Sequence, residues 1–263
     1  MKKYLRILFI ADIIGKPGRN IIKKNIVNIK NLLSLDMIIA NIENLAGGFG
    51  ITAKTLNEIN NLGAIDIYTS GNHIWDKKEA ENVILNYPNL LRPLNYPEQV
   101  PGKGFITINR YDTSITVINL LGRALMKDCV DCPFKSIDNF LSNNSSKITI
   151  VDFHAESTSE KEAMFFYLNG RVSALLGTHT HVQTADEKVS NEGTAYITDA
   201  GRTGNVDSVI GFGEKNVIER YLTQMPKRFE IKNQGRKEIQ GVILTIDINS
   251  GKSLTIDRFR YKE

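Results

Sequence analysis

The chain contains four histidines, and two of them, His179 and His181, stand one residue apart in the segment GTHTHVQTAD. The other two are His73 in GNHIWD and His154 in VDFHAES. Each follows an apolar run that is typical of a buried β-strand. Any one of these histidines, taken alone, is more often a hydrogen-bonded core or surface residue than a ligand. Their shared position at predicted strand ends favours a common site.

Acidic and amide side chains follow other predicted strands in the same way. Imidazole nitrogen, carboxylate oxygen and amide oxygen suit manganese, iron, zinc or nickel, and no thiolate belongs to the group. The candidate ligands are Asp12, Glu43, Asn44, Asn72, His154, His179 and His181. Because this set exceeds what one tetrahedral ion uses, the sequence predicts two ions.

The spacing of His179 and His181 predicts that both face one centre. In an extended segment, residues i and i+2 point to the same side, about 7 Å apart at Cα, so each imidazole would hold one of two ions roughly 3.5 to 4 Å apart. Adjacent residues point to opposite sides. His73 would therefore not bind the ion that Asn72 binds, and we expect it to be free as an acid.

Apolar runs alternate with helical patterns through the first half of the chain, which is typical of α/β layers. Predicted strands cover residues 5–10, 37–41, 65–70, 115–120 and 148–153. Predicted helices cover residues 19–33, 53–61, 77–85, 133–141 and 160–168. In open α/β sheets, ligands bind beyond the carboxyl ends of the strands, where the candidate ligands lie.

The last third of the chain favours strands. They are predicted at residues 194–198, 228–232, 240–248 and 253–261, with a hairpin turn at Asn249-Ser250-Gly251 between the final two. The pattern indicates two stacked mixed sheets with helices outside. We expect residues 1–263 to form a single domain.

Composition excludes several classes of protein. The net charge of +4, from 33 basic and 29 acidic residues, is too small for a nucleic-acid platform, although it is compatible with anionic substrates. No stretch approaches the roughly 20 apolar residues that span a bilayer, so we expect a cytoplasmic protein with no membrane partner. Cys129 and Cys132 are expected to be reduced thiols, with a redox pair as the alternative.

Several motifs together resemble the bacterial calcineurin-like metallophosphoesterases of the YmdB type, over nearly the whole chain. They are IGKPGR after Asp12, NIENLAGGFGIT, GNHIWD, RPLNYP, VDFHAESTSEK, GTHTHVQTAD and AYITDAGRTG. The resemblance implies a four-layer αββα sandwich of two stacked mixed β-sheets flanked by helices. It also implies two metal ions, iron or manganese or both, with zinc or magnesium in preparations, and phosphodiesterase activity toward 2',3'-cyclic nucleotides.

The resemblance also implies a role for each candidate residue. Asp12, Asn44 and His181 match ligands of one ion. Asn72, His154 and His179 match ligands of the other, Glu43 matches the bridging carboxylate, and His73 matches the proton donor. The mechanism expected from this set is attack on phosphorus by a hydroxide that bridges the ions, with His73 as general acid.

Other functions stay open from the sequence. A phosphomonoesterase or phosphoprotein phosphatase would use the same centre, and a metal-dependent RNA-associated regulatory protein is a third alternative. We expect no requirement for nucleic acid. The apolar C-terminal strands offer an edge for homo-oligomers.

Three lesser features have alternative explanations. The AGGFGIT segment is either a phosphate cradle or a glycine turn that leads to a Thr52 N-cap. Trp75 either stacks on a base or anchors the site from below. One of Asp152, Glu156 and Asp199 is expected to orient a histidine.

Overall fold

The computed structural model describes residues 2–263. The helices are α1 (Gly15–Leu32), α2 (Ala53–Asn60), α3 (Ala80–Asn86), α4 (Pro133–Asn143), α5 (Thr158–Leu168) and α6 (Glu214–Thr223). The strands of the first half are β1 (Tyr4–Ile10), β2 (Asp12–Ile13), β3 (Met37–Asn41), β4 (Ile67–Thr69), β5 (Phe105–Arg110) and β6 (Thr113–Leu121). Those of the second half are β7 (Ile148–His154), β8 (Ala174–Thr178), β9 (Lys188–Val189), β10 (Ala195–Ile197), β11 (Arg202–Asn205), β12 (Lys237–Asp247) and β13 (Ser253–Lys262).

These strands form two mixed sheets. In the first sheet the order is β2-β11-β12-β1-β3-β4, and β13 pairs with β12. In the second sheet the order is β5-β6-β7-β8-β10-β9. Strands β1, β3 and β4 run parallel, as do β6, β7 and β8. The carboxyl ends of each parallel set therefore meet at one edge of its sheet.

The sheets stack face to face over an apolar core, and β1 shows why. Side chains alternate along a strand, so Leu5, Ile7 and Phe9 pack between the sheets against β6, β7 and β8. Leu8 and Ile10 point the other way, into the core beneath α1, α2 and α3. Both faces of β1 are thus buried from Ile7 to Ile10, where its sequence is continuously apolar.

Helices cover the outer face of each sheet. Residues of α1, α2 and α3 share a core with the first sheet, including Ile22, Leu56 and Val83. Residues of α4 and α5 share a core with the second sheet, including Ile137 and Met164. The predicted four-layer αββα arrangement of two mixed sheets is confirmed. Across residues 2–263, no helix is long and apolar enough to cross a membrane.

Some local predictions were wrong or incomplete. The strand predicted at residues 228–232 does not form, and only Ile231 makes an isolated bridge, to Phe212. The backbone of that segment pairs with the turn at residues 211–213, through Gly213 N–H to Glu230 and Lys232 N–H to Gly211, so no strand ladder forms. Helix α1 begins at Gly15, four residues earlier than predicted, with Pro17 in its first turn. Strand β5 and helix α6 were not predicted.

Candidate metal centre

A first donor group consists of Asp12, Asn44 and His181. Nε2 of His181 lies 3.2 Å from Oδ1 of Asn44 and 3.3 Å from Oδ2 of Asp12. The other ring nitrogen lies 3.2 Å from the carbonyl oxygen of Ile210, which can accept its proton. Nδ2 of Asn44 donates to the carbonyl of Gly48 at 3.0 Å. These outer contacts turn the oxygen of Asn44 and Nε2 of His181 toward the same point.

A second donor group consists of Glu43, Asn72, His154 and His179. Nε2 of His154 lies 3.1 Å from Oδ1 of Asn72 and 3.2 Å from Oε2 of Glu43. Nδ1 of His179 lies 3.0 Å from that same nitrogen. The ligand atoms of Glu43, His154 and His179 all lie within 4.8 Å of one another. The structure thus brings the seven predicted ligands together in two adjacent groups.

Both donor groups have the chemistry that a cation requires. The backbone N–H of His179 donates to Oδ2 of Asp12 at 3.1 Å and so links the two groups. Oδ1 of Asp12 is buried and meets no hydrogen-bond partner within residues 2–263. A buried carboxylate oxygen without a partner is costly unless a cation or proton compensates it. The residues therefore fit bound metal ions.

The pKa values show how much negative charge the second group concentrates. Burial alone would raise the pKa of the Glu43 carboxyl, but the facing imidazoles, chiefly that of His154, hold it below its usual range. Burial alone would lower the pKa of His154. The carboxylates of Glu43, Asp12 and Asp152 outweigh the effect of burial and raise the pKa of His154 to about 9. A bound cation would favour the neutral form of His154, because histidine binds metals in its neutral form.

The pKa values of the other two donor imidazoles shift in opposite directions. Burial, followed by repulsion from His154, lowers the pKa of His179 to about 3. Burial also opposes protonation of His181, but hydrogen bonding and attraction to Asp12 raise its pKa above the ordinary value. His179 therefore offers a neutral nitrogen, as metal binding needs.

His154 is held from behind by a chain of polar side chains. Its Nδ1 lies 2.9 Å from Oγ1 of Thr178, whose hydroxyl donates to Oδ1 of Asp152 at 2.7 Å. The other oxygen of Asp152 accepts from Asn41 and Thr69. Burial raises the pKa of Asp152 to about 6. Asp152 thus orients His154 through Thr178. Glu156 contacts a histidine directly, because its Oε2 lies 2.9 Å from Nε2 of His179, so two of the three predicted acids are linked to a histidine.

The loop that carries His179 and His181 is not the extended segment that the spacing predicted. His179 has φ of 100° and His181 has φ of 63°, both in a region that non-glycine residues rarely adopt. Oδ2 of Asp199 accepts from the backbone N–H of Thr180 at 2.9 Å and from Nζ of Lys161 at 3.0 Å. The buried ion pair of Lys161 and Asp199 stabilises this turn. Both imidazoles therefore reach the site from a strained loop that the ion pair holds in place.

His73 lies beside the donor groups, and no ring contact joins it to them in the described part of the chain. Its Nδ1 lies 2.7 Å from Oδ2 of Asp76, and its backbone N–H donates to Oε2 of Glu43 at 3.1 Å. The hydrogen bond to Asp76 leaves Nε2 available for proton transfer. Its side chain is partly exposed at the cavity described next.

A cavity of about 320 Å³ opens over the two donor groups. Its polar side consists of four donor residues, Glu43, Asn44, His179 and His181, together with His73, Glu156 and Thr180. Its other side, which we call the aromatic side, consists of Phe49, Ile210, Phe212 and Phe229. A volume of this size accommodates a small organic ligand.

The lesser sequence features now have structural explanations. Thr52 caps α2, because its side chain accepts the N–H of Thr55. Gly47, Gly48 and Gly50 all have positive φ, as a tight glycine turn requires. Trp75 is half-buried against the core beneath α2 and α3 and is an apolar anchor.

Four supporting residues were missed by sequence reasoning. They are Asp76, Lys161, Thr178 and Ile210. The contact between Asp76 and His73 could have been predicted, since side chains three residues apart in a turn can meet. The buried Lys161 and the backbone carbonyl of Ile210 leave no residue pattern that distinguishes them from ordinary helix and loop residues.

Comparison with known proteins identifies the family. The sequence profile of the YmdB-like protein family matches residues 8–259. The chain belongs to this family. The chain is 42% identical to the 2',3'-cyclic-nucleotide 2'-phosphodiesterase of Bacillus subtilis (strain 168), over 97% of the chain and 96% of that relative.

Two crystal structures resemble this YmdB-like protein along its whole length. A hypothetical protein from Thermus thermophilus has a TM-score of 0.91 at 36% identity, covering 98% of this chain and 100% of that one. A novel phosphatase from Mycoplasma pneumoniae has a TM-score of 0.94 at 32% identity, covering 100% of this chain and 95% of that one. The chain is therefore an enzyme of the metallophosphoesterase class.

Proposed function

We propose that this YmdB-like protein is a dinuclear metal-dependent phosphodiesterase that hydrolyses 2',3'-cyclic nucleotides or related phosphodiesters. One observation carries the proposal: two adjacent donor groups converge at the floor of a single cavity. The name of the Bacillus subtilis relative supports the substrate class.

We assign Asp12, Asn44 and His181 to one ion, and Asn72, His154 and His179 to the other, with Glu43 as the bridging carboxylate. We expect iron, manganese or both, with zinc or magnesium as replacements, because these metals accept imidazole and oxygen ligands. When bound, two such cations attract phosphate oxygens and lower the pKa of a water toward neutrality, which supplies hydroxide for attack on phosphorus.

His73 is the proposed general acid. Asp76 holds its Nδ1 at 2.7 Å, so that a proton at Nε2 can pass to the departing ribose oxygen. The Phe49 ring lies beside the imidazole in an edge-to-face contact, with ring centroids 5.0 Å apart. His73 thus works from beside the donor groups as a positioned acid.

A phosphomonoesterase is the second candidate. It is favoured by the similarity to the Mycoplasma pneumoniae protein, which is described as a phosphatase. The donor groups would suit either ester, because both reactions need a charged centre and an acid for the leaving group.

The test is metal analysis of the purified protein combined with three assays. We expect about two transition-metal ions per chain, hydrolysis of 2',3'-cyclic AMP, and faster turnover of bis-p-nitrophenyl phosphate than of p-nitrophenyl phosphate. The reverse preference would establish the phosphomonoesterase. Metal-loaded protein that hydrolyses none of the three esters would refute both functions.

Three further properties remain predictions. Cytoplasmic location and the formation of homo-oligomers are predicted from the sequence alone. A single domain over residues 1–263 is supported by the apolar core that the two sheets share.

A further inference from the structure

We propose that Phe49 is the surface on which the nucleobase of a mononucleotide substrate stacks. The inference rests on the proposed function and names the group that selects the substrate. Phe49 is not one of the proposed metal ligands. Phe49 is partly exposed, lines the cavity, and belongs to the GGFG turn.

The backbone of the turn dictates where Phe49 points. Gly48 and Gly50 flank it with φ of 93° and 71°. A Cβ on Gly48 would lie 2.8 Å from Cδ1 of Ile231 and 3.0 Å from Cε1 of Phe212, so only glycine fits there. The glycine turn therefore directs the side chain of Phe49 toward the cavity.

Neighbouring rings support Phe49 from behind. Phe212 stacks against it, with ring centroids 5.3 Å apart and an interplanar angle of 22°. Phe212 is itself buried and contacts Phe229 at a centroid distance of 5.6 Å. Because buried Phe212 holds Phe49 in place, the part of Phe49 that lines the cavity is preorganised to contact another flat ring.

The position of Phe49 next to His73 fits the chemistry of a cyclic nucleotide. Its ring centroid lies 5.0 Å from that of the proposed acid. In a 2',3'-cyclic nucleotide, the oxygen that leaves phosphorus belongs to the ribose that carries the base. A base bound to that ribose must therefore lie close to the acid, where Phe49 stands.

The charges around the cavity favour a mononucleotide over an RNA strand. Among the described residues that line it, none is lysine or arginine. A polynucleotide needs cations along its phosphates, which supply most of its binding energy. The cavity offers a charged centre for one phosphate and an aromatic side for one base, and its volume of about 320 Å³ suits one small ligand.

The experiment compares two substrates that differ only in the base. Phe49→Ala is assayed with 2',3'-cyclic AMP and with ribose 2',3'-cyclic phosphate, which has no base. We expect kcat/KM for the nucleotide to fall about 5- to 150-fold, mainly through KM, which is the range for loss of one base–aromatic stack. The base-free ester should change less than about twofold. Phe49→Tyr, which keeps the ring, should restore KM.

A matched control and a second variant separate binding from folding. Phe166→Ala removes an exposed phenylalanine of α5 that lies outside the cavity. This variant should leave kcat/KM unchanged for both substrates. If Phe49→Ala does not fold, Phe49→Leu keeps the apolar contact with Phe212 and still removes the ring. Equal losses on both substrates, or no loss on either, would overturn the proposal.

Calorimetric binding of adenosine supplies a readout independent of hydrolysis. Wild type should bind adenosine more tightly than Phe49→Ala by the same factor as the change in KM. If wild type hydrolyses neither ester, the proposed function fails, but a loss of adenosine binding in Phe49→Ala still supports the stacking surface. Wild type that binds no adenosine, or two proteins that bind it equally, would contradict the stacking surface.

Discussion

The two sides of the cavity are built in different ways. On the polar side, ligands extend from strand ends: His154 is the last residue of β7, and Asp12 begins β2. On the aromatic side, Phe49, Phe212 and Phe229 come from turns and irregular segments that share no sheet. Two of the ligands thus lie on strands, whereas all three phenylalanines proposed to select the substrate lie on loops.

The two sides also depend on different contacts. The donor groups depend on sheet pairing and on buried contacts such as that between Thr178 and Asp152. The aromatic side depends on glycine turns and ring packing, which can change without disturbing the sheets. Substitutions on the two sides should therefore affect different quantities.

His73→Ala should have the largest effect on catalysis. We expect kcat to fall about 10²- to 10⁴-fold with the metals retained, because His73 acts as an acid and is not a ligand. His179→Ala provides the contrast and should lower metal content. The measurements are steady-state rates and metal content by mass spectrometry. Loss of both metals from His73→Ala, or full occupancy in His179→Ala, would contradict the assignment.

Lys161→Met should have the largest effect on stability. Removing the cation leaves Asp199 buried without its partner, which costs about 3 to 5 kcal/mol of the free energy of unfolding. Urea denaturation measures the change. Lys135→Met, at an exposed position of α4, is the control and should change it by less than about 0.5 kcal/mol. Equal stabilities of the two variants would exclude a structural role for the ion pair.

Thr178→Val should weaken metal binding about 10- to 100-fold, because the variant no longer links His154 to Asp152. Titration of metal into the metal-free protein measures this. Thr116→Val is the matched control, since Thr116 is buried in β6 and bonded to Thr107 and Ser146, away from the donor groups. A similar loss of affinity in both variants would indicate general damage to the second sheet.

Thr52→Ala should have the smallest effect. Loss of the α2 N-cap costs about 1 kcal/mol of the free energy of unfolding and leaves the donor groups intact. Urea denaturation measures the loss of stability, and metal content shows whether the donor groups are intact. Ser142→Ala, at an exposed position of α4, should be neutral. A loss of metal in Thr52→Ala would mean that the AGGFGIT turn and the donor groups are coupled.

Prediction from sequence succeeded where a pattern has one structural solution. Continuous apolar runs such as that of β7 are buried on both faces, and the polar residue that ends the run then lies at the sheet edge. It missed helix α6, although Ile218, Tyr221 and Leu222 follow the i, i+3, i+4 spacing of an apolar helix face. The fold leaves these three side chains exposed and buries only Val217 of this helix.

The sequence by itself determined the two-sheet fold and the types of ligand at the strand ends, because side-chain alternation and burial act locally along the chain. Only the tertiary structure decided the left-handed turn at His179 and His181, which depends on Asp199 and Lys161. It alone also decided the aromatic side, because rings distant in sequence meet only after both sheets have packed.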